Sequence, residues 1–232
     1  MQPRTILVTG GTGTLGSAIV RAGCAAAFHV VANFARDTVR AQHLREMTGC
    51  DVRQADVADR DQVQSLFESL PHLWAVIHTA AIARDGLLPT YRRDAWHETL
   101  RVNATGAFLV TQHALRQLPR DGRLILFASR VGENGGVGQA AYAASKAAVL
   151  ALAKTAACEA AGQGIAVNVI CPGFVPSAMT AEVSEVRLQQ QRERSLTGEL
   201  GEAEQVVSTV RWLLSDEARG ITGQVVHCDS RI

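Results

Sequence analysis

Thr9-Gly10-Gly11-Thr12-Gly13-Thr14-Leu15-Gly16 is the stretch whose reading decides the fold. An apolar, β-rich run, Thr5–Thr9, leads into it, and a buried-helix pattern, Leu15–Ala27, leads out. Gly10, Gly13 and Gly16 recur at intervals of three across the start of that helix. Small residues are needed there for a tight turn, for close backbone approach to a pyrophosphate, and for free amides at a positive helix end. A glycine-rich turn alone is a weak signal. Here a strand precedes it, a helix follows it, and the two open a βαβ unit, which marks a dinucleotide-binding turn. Thr12, Thr14 and Leu15 complete that turn beside the three glycines.

The same alternation runs to the end of the chain. Strand patterns are expected at His29–Asn33, Val52–Ala55, Trp74–His78, Arg123–Ala128, Ala166–Ile170 and Gln224–His227. Helices are expected over Asp37–Met47, Arg60–Leu70 (stopped by Pro71), Arg93–Leu118, Ala140–Ala161 and Glu202–Leu214, with an irregular stretch before the last. Continuous apolar strands alternating with helices imply an α/β fold: a doubly wound, seven-stranded parallel sheet covered on both faces. No internal repeat or linker interrupts it, so residues 1–232 read as one domain. A chain of 232 residues can bury about three-quarters of its unfolded surface.

Composition excludes several function classes. Twenty-three basic and 22 acidic residues leave a net charge of +1 with no block of like charge, which disfavours nucleic acid and anionic membranes as partners. The longest apolar runs, such as Leu124–Ala128 and Ala147–Ala153, are too short to span a bilayer. The N-terminus runs directly into a strand pattern with no room for a signal peptide, so a cytoplasmic protein is expected. Cys24, Cys50, Cys158, Cys171 and Cys228 form an odd set without metal-like spacing, and no metal is expected. They read as small buried hydrophobes in a reducing compartment.

Nucleotide choice is read at the end of the second strand, where an acid would accept the adenosine ribose hydroxyls and a base would suit a 2′-phosphate. The chain has Asn33-Phe34-Ala35-Arg36-Asp37, and Asp37 can cap the next helix. Arg36 therefore favours NADPH over NADH. Reactive chemistry is expected at Tyr142 and Lys146, which are four residues apart on one helix face. The chain has only two tyrosines, Tyr91 and Tyr142, and two lysines, Lys146 and Lys154. An ammonium beside a phenol that ordinarily titrates near pH ~10 should lower its pKa and make it a usable general acid.

Taken together, Ala80–Leu88, Val102–Phe108, Ser129 thirteen residues before Tyr142, Gly138–Ala147, Val167–Val175 and Leu214–Gln224 resemble the short-chain dehydrogenase/reductase family over nearly the whole chain. Within it, the look is closest to bacterial 3-oxoacyl-acyl-carrier-protein reductases. The resemblance implies a Rossmann fold and a catalytic set of Asn103, Ser129, Tyr142 and Lys146. Ser129 would hydrogen-bond the substrate carbonyl and Tyr142 would protonate it. Lys146 would hold the nicotinamide ribose, and Asn103 would position a water leading from Lys146. It also implies that Asp56, Val57 and Ala80 line the adenosine end. Pro172, Gly173, Val175 and Ser177 would line the nicotinamide end, and residues 180–200 would form a mobile substrate lid. A homotetramer is implied, with the helices Arg93–Leu118 and Ala140–Ala161 across one two-fold interface.

Several positions depart from the family pattern. Thr14 stands where its middle glycine falls, and His78-Thr79-Ala80-Ala81 replaces N-N-A-G, which should change hydrogen bonding near the central strand. Arg130 follows the serine directly and should shape the pocket mouth. Pro176 and Ala178 replace polar residues, and the chain ends C-D-S-R-I instead of with paired glycines. Arg120 matches a carrier-contacting position, while Gln163 stands where a second arginine is common. Three readings stay open: reduction of a carrier-bound 3-oxoacyl thioester, the same chemistry on a free ketone or alcohol, and an idle NADP(H)-binding subunit of a hetero-oligomer.

Overall fold

In the computed structural model, which describes residues 3–70, 72–176 and 185–230, seven strands form one sheet. They are β1 (Thr5–Thr9), β2 (His29–Phe34), β3 (Asp51–Gln54), β4 (Leu73–His78), β5 (Arg123–Phe127), β6 (Ala166–Pro172) and β7 (Val225–Cys228). Their order is β3-β2-β1-β4-β5-β6-β7, with every pairing parallel. Strand order reverses beside β1, so a crevice opens at the carboxyl ends of β1 and β4, where ligands bind in such sheets.

All five residues of β1 and all six of β4 are buried, as expected of strands covered on both faces. Side chains alternate between the two faces. Ile6 and Val8 join Ile77, Phe127 and Val210 in one core, against α1 (Thr14–Ala25), α2 (Thr38–Thr48) and α9 (Ala203–Leu214). Leu7 joins Val76, Leu124, Phe67 and Val149 in the other core, against α3 (Arg60–Glu68), α5 (Gly106–Gln117) and α7 (Ala140–Ala160). Fully burying each such side chain contributes about 1.5–3 kcal/mol. That uniform desolvation fixes the layer order.

Every expected strand and helix is present, with three differences of detail. The Arg93–Leu118 helix is divided into α4 (Arg93–Leu100), a π turn (Arg101–Thr105) and α5. Asn103 lies in that turn and binds the loop after β4, while Gly106 sits so close to Val57 that a Cβ would come within 2.9 Å of its side chain. A widened turn meets both contacts, as π bulges at functional sites often do. Ser129 caps a five-residue helix, α6 (Arg130–Asn134), and α8 (Glu185–Glu193) occupies part of the stretch read as irregular. Cys158 is exposed on α7 and Cys24 and Cys228 are half-buried, so only Cys50 and Cys171 fit the expectation of buried thiols. No described helix is long and apolar enough to cross a membrane.

The His78-Thr79 departure has a structural account. His78 closes β4 beside Thr9 of β1, with Nδ1 2.7 Å from the Thr9 hydroxyl. Thr79 donates its hydroxyl hydrogen to the Thr9 carbonyl at 2.7 Å. Burial, aided by the Lys146 charge, lowers the His78 pKa to about 3. The unfolded chain takes up a proton near the ordinary histidine pKa of ~6.5, and the folded chain does not until about pH 3. Stability should therefore fall as pH drops through that window, by at most about 1.4 kcal/mol per pH unit from this group. Urea unfolding between pH 7 and 5 should show a shallower pH slope in His78→Asn than in the wild type.

Candidate active site

The glycine turn leaves β1 at Gly10, whose φ of +68° is left-handed. A Cβ on Gly10 would lie 2.7 Å from the Ala80 backbone, and one on Gly16 would lie 2.2 Å from the Gly10 carbonyl oxygen. The helix end can approach the β1–β4 crest so closely only because both positions lack side chains. Gly13 is the N-cap of α1, makes no side-chain cap bond, and is followed by a first turn without an acidic residue. Thr12 is half-buried, and Gly13 and Thr14 are exposed at the lip. Replacement of the usual middle glycine by Thr14 is tolerated because Thr14 simply opens α1. Backbone amides at a positive helix end, backed by a floor that admits no Cβ, fit a dinucleotide pyrophosphate.

At the adenosine end, Arg36 is exposed in the loop after β2. Asp37 caps α2, accepting from the Arg40 amide at 2.9 Å, and Arg40 pairs with it at 3.2 Å. Its carboxylate is thus removed as a ribose acceptor, as the sequence predicts. Asp56 accepts from the Ala58 amide at 3.0 Å and pairs with Arg101 at 3.0 Å, while Val57 is buried against Gly106. Arg101 was not legible as an Asp56 partner, because the contact crosses from the π turn to the loop after β3.

The four expected catalytic residues gather at one end of the sheet. Ser129 follows β5, and Tyr142 and Lys146 come from the first turns of α7. The Ser129 side chain lies close enough to the Tyr142 phenol to favour its ionised form. Lys146 is 4 % exposed, donates to the Phe127 carbonyl at 2.8 Å, and holds its ammonium 5.6 Å from the Tyr142 ring centroid. Asn103 exchanges two hydrogen bonds of 2.8 Å with the Ile82 backbone and donates to Ser145 Oγ at 3.0 Å. Ser145 in turn donates to the Tyr142 carbonyl at 2.7 Å. Both Asn103 amide hydrogens are thereby engaged, and the role on view is to fasten the π turn to α7. Ser145 was missed in the sequence, where its i+3 spacing from Tyr142 was the available signal.

One electrostatic expectation is corrected. Burial pushes the Tyr142 phenol up to about 12, against the opposing influence of the nearby Ser129 side chain. Burial also pulls Lys146 down to about 8. Desolvation is the largest influence on the phenol, and the expected acidifying effect of the ammonium is not among those that accompany it. At neutral pH the phenol is fully protonated, which suits a group that donates a proton more than one that must accept it.

The far wall comes from the end of β6. Pro172 closes that strand, and Gly173 and Val175 follow; Ser177 lies outside the described residues. A Cβ on Gly173 would lie 2.6 Å from Asp229 Cβ, so only glycine lets these segments meet. Asp229 takes both carboxylate oxygens to Arg130 Nε at 2.9 Å. Nearby, Glu133 and His227 pair at 2.9 Å and lie with Cys171 inside a 4.8 Å group of ligand-type atoms. Glu133 and His227 already engage each other, and burial raises the Cys171 thiol to about 12.

Replacing Gly16 with alanine should force the Gly10 carbonyl out of place. NADPH binding, measured by calorimetry, should weaken by about tenfold or more, equivalent to roughly 1.4 kcal/mol. Binding at wild-type strength would show that the turn does not form the cradle.

Comparison with known proteins agrees with this geometry. The family model described as Enoyl-(Acyl carrier protein) reductase matches residues 12–230. A 3-oxoacyl-[acyl-carrier-protein] reductase of Staphylococcus aureus (strain Mu50 / ATCC 700699) is 34% identical over 235 residues, covering 97% of this chain and 96% of the relative. An acetoacetyl-CoA reductase of Rhizobium meliloti (strain 1021) is 36% identical over 234 residues, covering 97% of each. A short-chain dehydrogenase from Burkholderia cenocepacia J2315, solved in complex with NADP, superposes with a TM-score of 0.91 at 28% identity, covering 100% of this chain and 98% of the other. With the glycine cradle, the Ser129–Tyr142–Lys146 cluster and matches of this extent, the chain belongs to the short-chain dehydrogenase/reductase family.

Proposed function

We propose that this protein reduces the keto group of a 3-oxoacyl thioester with NADPH, giving the 3-hydroxyacyl product. The observation that carries the reading is a half-buried, protonated phenol beside Ser129, at the crest of the sheet that also bears the glycine cradle. Relatives bearing the names of a 3-oxoacyl-carrier-protein reductase and an acetoacetyl-CoA reductase support the substrate class. Structural neighbours solved with NADPH or NADP support the cofactor.

Gly10, Thr12, Gly13, Thr14, Leu15 and Gly16 would hold the pyrophosphate, with Arg36 on the 2′-phosphate. Asp56, Val57 and Ala80 would border the adenosine end. Lys146 would bind the nicotinamide ribose, and Pro172, Gly173, Val175 and Ser177 would flank the ring. The bound cofactor supplies the hydride. Ser129 donates a hydrogen bond to the carbonyl oxygen and fixes its position. Tyr142 transfers its phenolic proton to that oxygen as negative charge develops there. Lys146, about half protonated near pH 8, replenishes the tyrosine. Asn103, through Ser145, holds the turn from which Tyr142 projects, and a water on Asn103 would link Lys146 to solvent.

A carrier-protein substrate is the finer part of the proposal. Arg120 packs against Gly164, where a Cβ would come within 3.1 Å of its side chain, and it presents one basic contact where the family commonly has two. Of the lid expected at 180–200, residues 180–184 lie outside the described residues; the remainder would border the acyl chain, next to the point where the Gly201 amide donates to the Phe174 carbonyl at 3.0 Å. α4, α5 and α7 would build a two-fold interface of a cytoplasmic homotetramer. Phe108, exposed at 47%, is available for that contact.

Tyr142→Phe should lower kcat for acetoacetyl-CoA by about 10²- to 10⁴-fold, the usual worth of a general acid, with an unchanged melting temperature. Near wild-type turnover would reject the assignment. Arg36→Ala should raise the KM for NADPH and leave that for NADH unchanged; an unaltered preference would sink the 2′-phosphate reading. Acetoacetyl thioester on a carrier should also outcompete simple ketones in NADPH consumption.

A further inference from the structure

Arg130 and Asp229 stand 99 residues apart in the chain and are hydrogen-bonded to each other. Arg130 directly follows Ser129, and Asp229 lies in the C-terminal Cys228-Asp229-Ser230 stretch just after β7. Their contact is more than a surface ion pair. The Arg130 and Asp229 side chains are 20% and 4% exposed, and the guanidinium Nε lies 2.9 Å from each carboxylate oxygen. Asp229 reaches this position because Gly173 leaves room for its Cβ.

The neighbouring contacts all act on the same short helix. A Cβ on Gly132 would lie 2.7 Å from the Lys146 backbone, so α6 rests directly on α7 at the lysine's own turn. On the opposite side, Glu133 of α6 pairs with His227 of β7. His227 is in register with Cys171 of β6, two residues before Gly173. Ser129 caps α6, accepting from the Val131 amide at 3.3 Å. The serine is therefore the first residue of an element pressed against α7 on one side and tied to the β6–β7 end on the other.

We infer that the Arg130–Asp229 pair is a positioning device that couples the two walls of the active site. It fixes the Ser129 hydroxyl, on the substrate side, relative to Gly173, on the nicotinamide side. Arg130 and Asp229 touch neither reacting atom; they act through Ser129 and Gly173. A guanidinium suits this role because its Nε–H, fixed in a rigid plane and shared between both carboxylate oxygens, constrains direction as well as distance, which a freely rotating lysine ammonium does not. The inference rests on the proposed role of Ser129.

Three variants test it, each assayed at a temperature where it is fully folded. In Arg130→Lys and Asp229→Asn, kcat at saturating NADPH and acetoacetyl-CoA should fall by about 10- to 100-fold, the usual effect of a misplaced reacting group. The Kd for NADPH should stay within about threefold, since a loss confined to kcat marks an interaction that acts in the transition state. Arg130→Met/Asp229→Leu replaces the pair by apolar packing, which commonly preserves stability. It should keep the low kcat even where its melting temperature returns to the wild-type value. Wild-type kcat in both single variants, or recovery of kcat together with stability in the double variant, would reduce the pair to a structural prop and overturn the inference. Tyr142→Phe is run alongside: if it stays active, the reading of the catalytic site fails, whereas an inactive Tyr142→Phe with fully active Asp229→Asn defeats only the positioning role.

Discussion

The chemistry of this fold depends on a charged side chain placed where water is excluded. Lys146 is 4 % exposed and donates to the Phe127 carbonyl, at the end of the strand that leads to Ser129. Its pKa falls to about 8, a shift that costs folding roughly 3 kcal/mol at neutral pH. The two cores on either side of the sheet outweigh that cost. The same desolvation keeps Tyr142 a firmly held acid and His78 a neutral base. Three titratable groups at one end of the sheet are thus set by the same loss of water, and departures of this kind are concentrated where function is.

Close approach is the second constraint. Gly10, Gly16, Gly132 and Gly173 each stand where a Cβ would come within 3 Å of another segment. They bring together the β1–β4 crest, the start of α1, the meeting of α6 with α7, and the junction of β6 with the C-terminal segment. The glycine turn and the cluster of Ser129, Tyr142 and Lys146 are consequently parts of one packed surface. A small displacement of one segment reaches the others, because packed contacts of this kind do not yield gradually.

The sequence made much of this legible because its signals were local or repeated. Apolar runs of strand length, alternating with helical periods, suffice for a parallel sheet, and the glycine spacing with its flanking elements suffices for the turn. Asp37 was readable as a cap from three neighbouring residues. The π turn was not legible, since Val102–Thr105 carries an ordinary helical pattern and widens only under contacts with Ile82 and Val57. Nor was the raised Tyr142 pKa: the i,i+4 spacing shows that a lysine is near, but not how much water the pair has lost.

Sequence alone therefore determined the order and type of the elements, the turn that would cradle a dinucleotide, and the residue types available for proton transfer, because each follows from short-range spacing. Tertiary structure decided which of those residues meet, with what charge. Arg130 finds Asp229, Asp56 finds Arg101, and desolvation sets the Tyr142 phenol. Those outcomes depend on distances between segments far apart in the chain and on the exclusion of water between them, and no local pattern encodes either.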